Sequence, residues 1–95
     1  MKIELKKFGT TLVSRGTGKE ALSAFRPSLK NVKNEDILIN FDGVVTFSPS
    51  WGDEFLTPLL KEYGDKLILQ SSENLSVQMT IELLEEINKK KFKKI

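Results

Sequence analysis

The side chains with the clearest potential for chemistry lie between residues 48 and 54, where the sequence is SPSWGDE. Ser48 and Ser50 bring hydroxyl groups to the predicted start of a helix, and Asp53 and Glu54 follow within its first turns. Backbone N–H groups are unpaired at a helix start and attract anions. A serine there is either a helix cap or a displayed hydroxyl that could accept a phosphate group.

Both interpretations of Ser50 stay open from the residues alone. Capping fully explains a serine and early acidic residues at a helix N-terminus. A phosphate on Ser50 would instead change which molecules can dock on the surface formed by Ser48, Trp51, Asp53 and Glu54, without unfolding the domain. Trp51 itself is either packed over the helix start or partly exposed, as tryptophans at interfaces are.

The composition removes several kinds of active site. The 95 residues include no cysteine and no histidine, so disulfides, thiolate nucleophiles and the commonest metal ligand are absent. Asp42, Asp53 and Glu54 could form an acidic cluster, but no companion ligands follow at a recognisable spacing. We therefore predict no metal, no cofactor and no enzymatic activity, and a small enzyme using carboxylates is the weakest alternative.

The positive charge is concentrated at one end of the chain. The formal net charge is +2, and residues 89–95 contain five lysines, so residues 1–88 are slightly acidic. This distribution is not that of a uniformly basic nucleic-acid-binding face, and we expect the tail to be the solvated, frayed end of the last helix. No apolar run has the ~20 residues of a membrane span, and no signal sequence is evident, so we predict a cytoplasmic protein without a membrane partner.

The pattern of apolar residues predicts one domain over residues 1–95 with the order β-β-α-β-α-β-α. Residues 3–8 alternate in polarity and residues 10–14 contain β-branched side chains, which predicts a hairpin or a bulged pair of antiparallel strands at the start of the chain. Residues 37–41 and 66–70 are almost continuously apolar, as strands covered on both faces are. The fold class is therefore α/β, with a small mixed sheet flanked by helices.

Three segments have the spacing of helices. Thr17 and Glu20 form a capping-box pattern before the first, Ser48-Pro49 is a strong start for the second, and the third begins near Asn74. A polar turn is expected at residues 31–36.

Two residues are predicted to have structural roles. Gly43 follows the central strand and marks a turn. Arg15 is expected to pair with a carboxylate, either Asp36, Asp42 or another.

The segment 37–56, ILINFDGVVTFSPSWGDEFL, resembles the central strand, loop and helix of STAS domains, the fold of anti-sigma factor antagonists and of sulfate-transporter tails. The chain is more similar still to the STAS-like domains of unknown function found in bacteria, archaea and their mobile elements. That likeness rests on Phe8-Gly9, Leu12, Ser14-Arg15, Gly18, Phe41-Asp42-Gly43-Val44 and the run from Ser50 to Phe55.

The resemblance implies a STAS-like fold and a part in partner switching. In the antagonists, a serine at the start of this helix is phosphorylated by a partner with a histidine-kinase-like ATPase fold, and Ser50 matches that serine. Ser48 stands where the family usually has an acidic residue, and Trp51 where it usually has glycine. We predict a non-enzymatic regulatory module that binds a protein as a monomer or homodimer. Nucleic-acid binding through the lysine tail and a purely structural dimer remain alternatives.

Overall fold

The secondary structure comes from a computed structural model, which describes residues 1–30 and 34–95. In these ranges the helices are α1 (Arg15–Phe25), α2 (Pro49–Tyr63) and α3 (Leu75–Asn88). The strands are β1 (Lys2–Glu4), β2 (Thr11–Leu12), β3 (Ile37–Asn40), β4 (Thr46–Phe47), β5 (Leu67–Leu69) and β6 (Lys93–Lys94). The predicted α/β class and helices are confirmed, while residues 31–33 of the predicted polar turn lie outside the described residues.

The main sheet has the strand order β1-β3-β5-β6, and every pairing in the described residues is parallel. Ile3, Ile39 and Leu69 lie side by side in its buried row. A separate parallel pair joins β2 to β4. The predicted mixed sheet with an antiparallel opening pair is therefore wrong. The short 3-10 turn at Leu5–Phe8 and Gly9, with a φ of 126°, carry the chain out of the sheet before β2 begins.

The helices lie together on one face of the main sheet. The strand order advances in one direction, and right-handed crossovers between parallel strands then place each connecting helix on the same side. In agreement, α1 packs against α2, and α2 packs against α3. None of the helices in the described ranges combines the length and the apolar character needed to cross a membrane.

The helix starts share one edge of the sheet and are capped by side chains. Ser14, Ser48 and Asn74 accept hydrogen bonds from the first backbone N–H groups of α1, α2 and α3, respectively. The predicted cap at Thr17 is displaced by three residues, because the Thr17 N–H donates to the Ser14 hydroxyl. Asn74 also donates to the carbonyl oxygens of Val44 and Val45, which ties the start of α3 to the loop before α2.

The lysine-rich end of the chain folds back onto the domain instead of extending into solvent, so the expectation of a frayed end is wrong. Phe92 is buried, and its N–H donates to Glu85 at 2.9 Å. Lys93 and Lys94 pair with β5, and the Lys94 ammonium donates to the same Glu85 carboxylate at 2.6 Å. One aromatic side chain and one internal carboxylate therefore anchor a segment whose composition alone indicates solvation.

The close approach of α1 to α2 gives a test of the fold in which two glycines respond in opposite directions. A Cβ atom on Gly18 would lie 2.7 Å from the backbone oxygen of Trp51, whereas one on Gly16 would meet nothing within 4 Å. Gly18→Ala should lower the free energy of unfolding by about 1–3 kcal/mol through overpacking. Gly16→Ala should raise it by about 0.4–1 kcal/mol by restricting the unfolded chain.

Urea unfolding followed by the fluorescence of Trp51 measures both changes. Two stabilised variants would contradict the packing of α1 on α2.

Candidate functional site

The start of α2 is fixed by Ser48, and not by Ser50. The Ser48 hydroxyl accepts from the Trp51 N–H at 3.3 Å and donates to the Val13 carbonyl oxygen at 2.7 Å. Pro49 is the first helical residue, as the Ser48-Pro49 pattern predicted. Both hydrogen-bonding functions of Ser48 are therefore used in joining the start of α2 to the segment before α1. Loss of such a cap costs ~0.5–2 kcal/mol.

Ser50 is the second residue of α2 and its hydroxyl is uncommitted. The side chain is half-buried, and among the described residues it makes no hydrogen bond. At about 100° per residue it lies between the partly exposed Asp53 and Glu54 around the helix, and away from Trp51 and Phe55 in the core. Two serines that are two positions apart thus differ completely in what their hydroxyls do.

Trp51 belongs to the core, which corrects its assignment to an exposed partner-binding surface. Its side chain is 1% exposed. The indole stacks on Phe55, with ring centroids 5.0 Å apart, and meets Phe47 edge-on at 5.7 Å and Phe8 at 6.2 Å. An indole in this position stabilises the helix start from beneath and cannot touch a partner unless the core opens.

Arg15 crosses from the start of α1 to the acidic residues of α2. Its guanidinium donates to Asp53 at 2.9 Å and lies 3.5 Å from a Glu54 carboxylate oxygen. The expected pairing with a carboxylate is therefore made with these two residues, and not with Asp36 or Asp42. Asp53 and Glu54, which the sequence marked as candidate site residues, are therefore bridged by the guanidinium of Arg15 from α1.

The hydrogen bond from Arg15 lowers the pKa of Asp53 from its ordinary value of 3.8. Thr57 donates to the same carboxylate at 2.9 Å and acts in the same direction, while partial burial opposes both. Asn88 of α3 donates to the Thr57 hydroxyl at 3.2 Å. A polar network therefore runs from α1 across α2 to α3.

Sequence reasoning missed Thr57 and Asn88. Thr57 lies four residues after Asp53 in the predicted helix, so its contact with that carboxylate was accessible from spacing. Asn88 is 31 residues away from Thr57, and only the packing of α3 on α2 brings the two together.

Gly43 shapes the loop that leads from β3 toward the site. Its φ is 85°, in the left-handed region that favours glycine, and a Cβ there would lie 3.1 Å from the Lys6 side chain. The loop is held further by Val44, whose N–H donates to the Phe41 carbonyl oxygen, and by Asp42, whose N–H donates to Asn40.

The acidic side chains do not converge on a cation position, and within residues 1–30 and 34–95 no group of three metal-ligating side chains is close enough to hold one.

A groove of about 910 Å³ lies elsewhere, between α3 and the strand ends, and Ser50, Asp53 and Glu54 do not line it. Its walls come from α3, from the loop after β5 and from the lysine-rich end, and include Gln70, Ser72, Gln78, Glu85 and Lys94. The predicted site therefore lies on the outer surface at the start of α2 and is separate from this groove.

Comparison of the chain with protein-family models, with curated proteins and with solved structures finds no match in any of the three.

The Arg15–Asp53 pair predicts a dependence of stability on pH. Asp53→Asn should lower the free energy of unfolding at neutral pH by less than ~1 kcal/mol, the range for exposed ion pairs. Because the pKa of Asp53 is lowered on folding, the stabilisation is complete above its ordinary pKa and is lost as the pH falls through the folded value. The free energies of unfolding of the two proteins, measured with urea, should therefore converge as the pH falls below the folded pKa of Asp53.

Glu20→Gln is the matched control, since Glu20 is exposed on α1 and has no ion pair within the described chain. A difference between Asp53→Asn and the wild type that grows toward acid would contradict the ion pair.

Proposed function

We propose that the chain is a non-enzymatic, STAS-like regulatory module that binds a protein partner through the outer surface at the start of α2. This surface comprises Ser50, Asp53, Glu54 and Arg15. The proposal rests mainly on the hydroxyl group of Ser50, which is half-buried and has no hydrogen-bond partner in the described residues. The start of the helix is capped by Ser48 instead. Membership of the STAS-like family is also part of the proposal, and its support is the resemblance in sequence.

The electrostatics of this surface suit a phosphorylation switch. Arg15, Asp53 and Glu54 together carry a formal charge of −1, and a phosphate on Ser50 would bring the total to about −2.5 to −3. The helix start and Arg15 would stabilise the added anion locally. A partner that binds the unmodified surface, with acidic groups facing Arg15, would be repelled by the modified one.

Phosphorylation of Ser50 would leave the cap intact. The N-cap hydrogen bond and the bond to Val13 both belong to Ser48, so modification two residues later removes neither. The switch therefore acts on docking and not on folding, as a reversible regulator requires. We assign the kinase and binding partner to the histidine-kinase-like ATPase class implied by the resemblance, and the module to the cytoplasm.

The direct test is incubation with such an ATPase and ATP, followed by mass spectrometric mapping of the phosphate. We expect modification at Ser50, and its loss in Ser50→Ala. Ser23→Ala is the matched control, because Ser23 is an exposed serine on α1. It should be phosphorylated at Ser50 like the wild type.

Binding to the same ATPase supplies the second half of the test. Ser50→Asp should weaken binding by at least about tenfold, which corresponds to 1.4 kcal/mol, while Ser23→Asp should bind normally. Absence of phosphate from Ser50 together with full binding by Ser50→Asp would refute the switch.

A further inference from the structure

The main sheet has an open edge at β6. In the part of the chain that the structure describes, β6 is the outermost strand, and no further strand pairs with it. The Ile95 N–H donates to the Leu69 carbonyl oxygen, and the Ile95 carbonyl oxygen accepts from the Ser71 N–H. Both main-chain groups of Ile95 therefore face β5. Because successive residues of a strand point in opposite directions, the N–H and carbonyl groups of Lys94 face the open edge.

A groove lies beside this edge. It is the groove of about 910 Å³ described above, with α3 on one side and the lysine-rich end on the other. From Gln78 to Glu86, α3 borders it over ~12 Å, which is the length of about four residues of extended chain. Its lining includes the apolar side chains of Leu69, Val77 and Ile81. An extended segment added to β6 would therefore place every second side chain in this groove.

The charges that line the groove nearly cancel. Four lysines and three glutamates contribute a formal sum of +1, and they are Lys89, Lys90, Lys91, Lys94, Glu82, Glu85 and Glu86. Lys94 and Glu85 neutralise each other directly, with 2.6 Å between the ammonium and a carboxylate oxygen. A charged side chain that entered the groove would meet groups of its own sign as well as groups of the opposite sign. An apolar side chain would contact the apolar lining, so the groove favours apolar side chains.

The opposite face of β6 is uniformly basic. Side chains alternate along a strand, so the exposed Lys93 points away from Lys94 and from α3. Its row across the sheet continues through Ile68 and Leu38 to Lys2. This row contains two lysines and no carboxylate, and within the described residues Lys93 makes no ion pair. An acidic side chain placed beside Lys93 by a new strand would form a favourable cross-strand pair.

We propose that β6 is a docking edge for an extended segment of a partner protein in which acidic and apolar residues alternate. The segment adds to the sheet as a further strand, with its backbone bonded to the N–H and carbonyl groups of Lys94. Its apolar side chains enter the groove, and its acidic side chains lie beside Lys93. In strand addition, main-chain hydrogen bonds supply affinity and the alternate side chains supply specificity.

The same lysines disfavour other occupants. Lysine on a short edge strand opposes pairing between identical copies, because Lys93 and Lys94 of two copies would lie beside each other. It does not oppose pairing with an acidic strand. Nucleic acid is disfavoured because Phe92, the aromatic residue of this segment, is 4% exposed and cannot stack on a base. An anionic membrane is disfavoured because Glu82 and Glu86 line the groove together with the lysines.

The probe is a fluorescein-labelled peptide of seven residues in which glutamate and valine alternate. Its matched control has the same composition with the glutamates grouped at one end, so that neither face of the extended chain is uniformly acidic. Fluorescence anisotropy should show saturable 1:1 binding of the alternating peptide and at least about tenfold weaker binding of the grouped one. Two further alternating peptides carry N-methyl groups on either the glutamates or the valines. Only one of these two should lose binding, because only one set of N–H groups faces β6.

Lys93→Glu should weaken binding of the alternating peptide by at least about tenfold through like-charge repulsion. Lys19→Glu is the matched control, since Lys19 is exposed on α1 and the substitution changes the net charge by the same amount. It should bind like the wild type. Circular dichroism and Trp51 emission establish that each variant is folded. Ser50→Asp should bind the peptide unchanged, which separates this edge from the surface at the start of α2.

Equal binding of the alternating and the grouped peptide, an equal effect of the two N-methyl patterns, or full binding by Lys93→Glu would overturn the proposal. Equal losses in Lys93→Glu and Lys19→Glu would also overturn it, because they would show a general attraction between net charges. Light scattering that showed a dimer dissociated by the alternating peptide would assign the edge to a second copy. Tighter binding of a single-stranded oligonucleotide or of anionic phospholipid vesicles than of the peptide would likewise assign the lysines to another occupant.

Discussion

The constraint on which this structure depends is the one-directional order of its parallel strands. Because β1, β3, β5 and β6 follow one another across the sheet, α1, α2 and α3 share a face and begin at the same edge. Their first turns must then be fitted together in a small space. Side chains do this by bonding to backbone groups of neighbouring segments, as Ser48 does with Val13 and Asn74 with Val45. The caps are therefore tertiary contacts as well as local ones.

This arrangement explains why two nearby serines have different roles. Ser48 lies where the start of α2 passes the end of β2, and its hydroxyl both donates and accepts a hydrogen bond. Ser50 is half a turn further along, on the side turned away from the aromatic core beneath Trp51. Arg15 reaches the same outer side from α1 because the caps bring the two helix starts together. The site is thus a product of topology, and its charge balance is set by a residue from another element.

Much of this could be predicted from local sequence. The strand at residues 37–41 and the helix starting at Ser48-Pro49 depend on short-range signals, and both are observed close to their predicted positions. The opening hairpin was wrong because alternation over a few residues indicates a strand but not its partner, and β1 pairs with β3, more than 30 residues away. Strands of two residues, such as β4 and β6, have no periodicity that a sequence pattern can reveal.

In the candidate site, too, some features follow from local sequence and others depend on tertiary packing. The hydroxyl and carboxylates at the start of α2 were evident from residue type, whereas the burial of Trp51 and the contact of Arg15 with Asp53 depend on how α1 packs on α2. The fate of the lysine-rich end depends on Glu85, whose partly buried carboxylate accepts bonds from both Phe92 and Lys94. Composition predicts solvation there, but one apolar anchor is enough to reverse it.

The proposed surface requires that the side chain at position 50 is accessible to solvent. Because the chain contains no cysteine, a single thiol introduced at that position measures its accessibility directly. A Ser50→Cys variant carries a single thiol at a helix start, where its reactivity is raised by a lowered thiol pKa. It should react with a neutral disulfide reagent in the folded protein within about tenfold of its rate in denaturant, because no local opening is needed. Thr80→Cys should be protected, because residue 80 is only 2% exposed. Equal protection of both thiols would show that position 50 is part of the interior and would contradict the proposed surface.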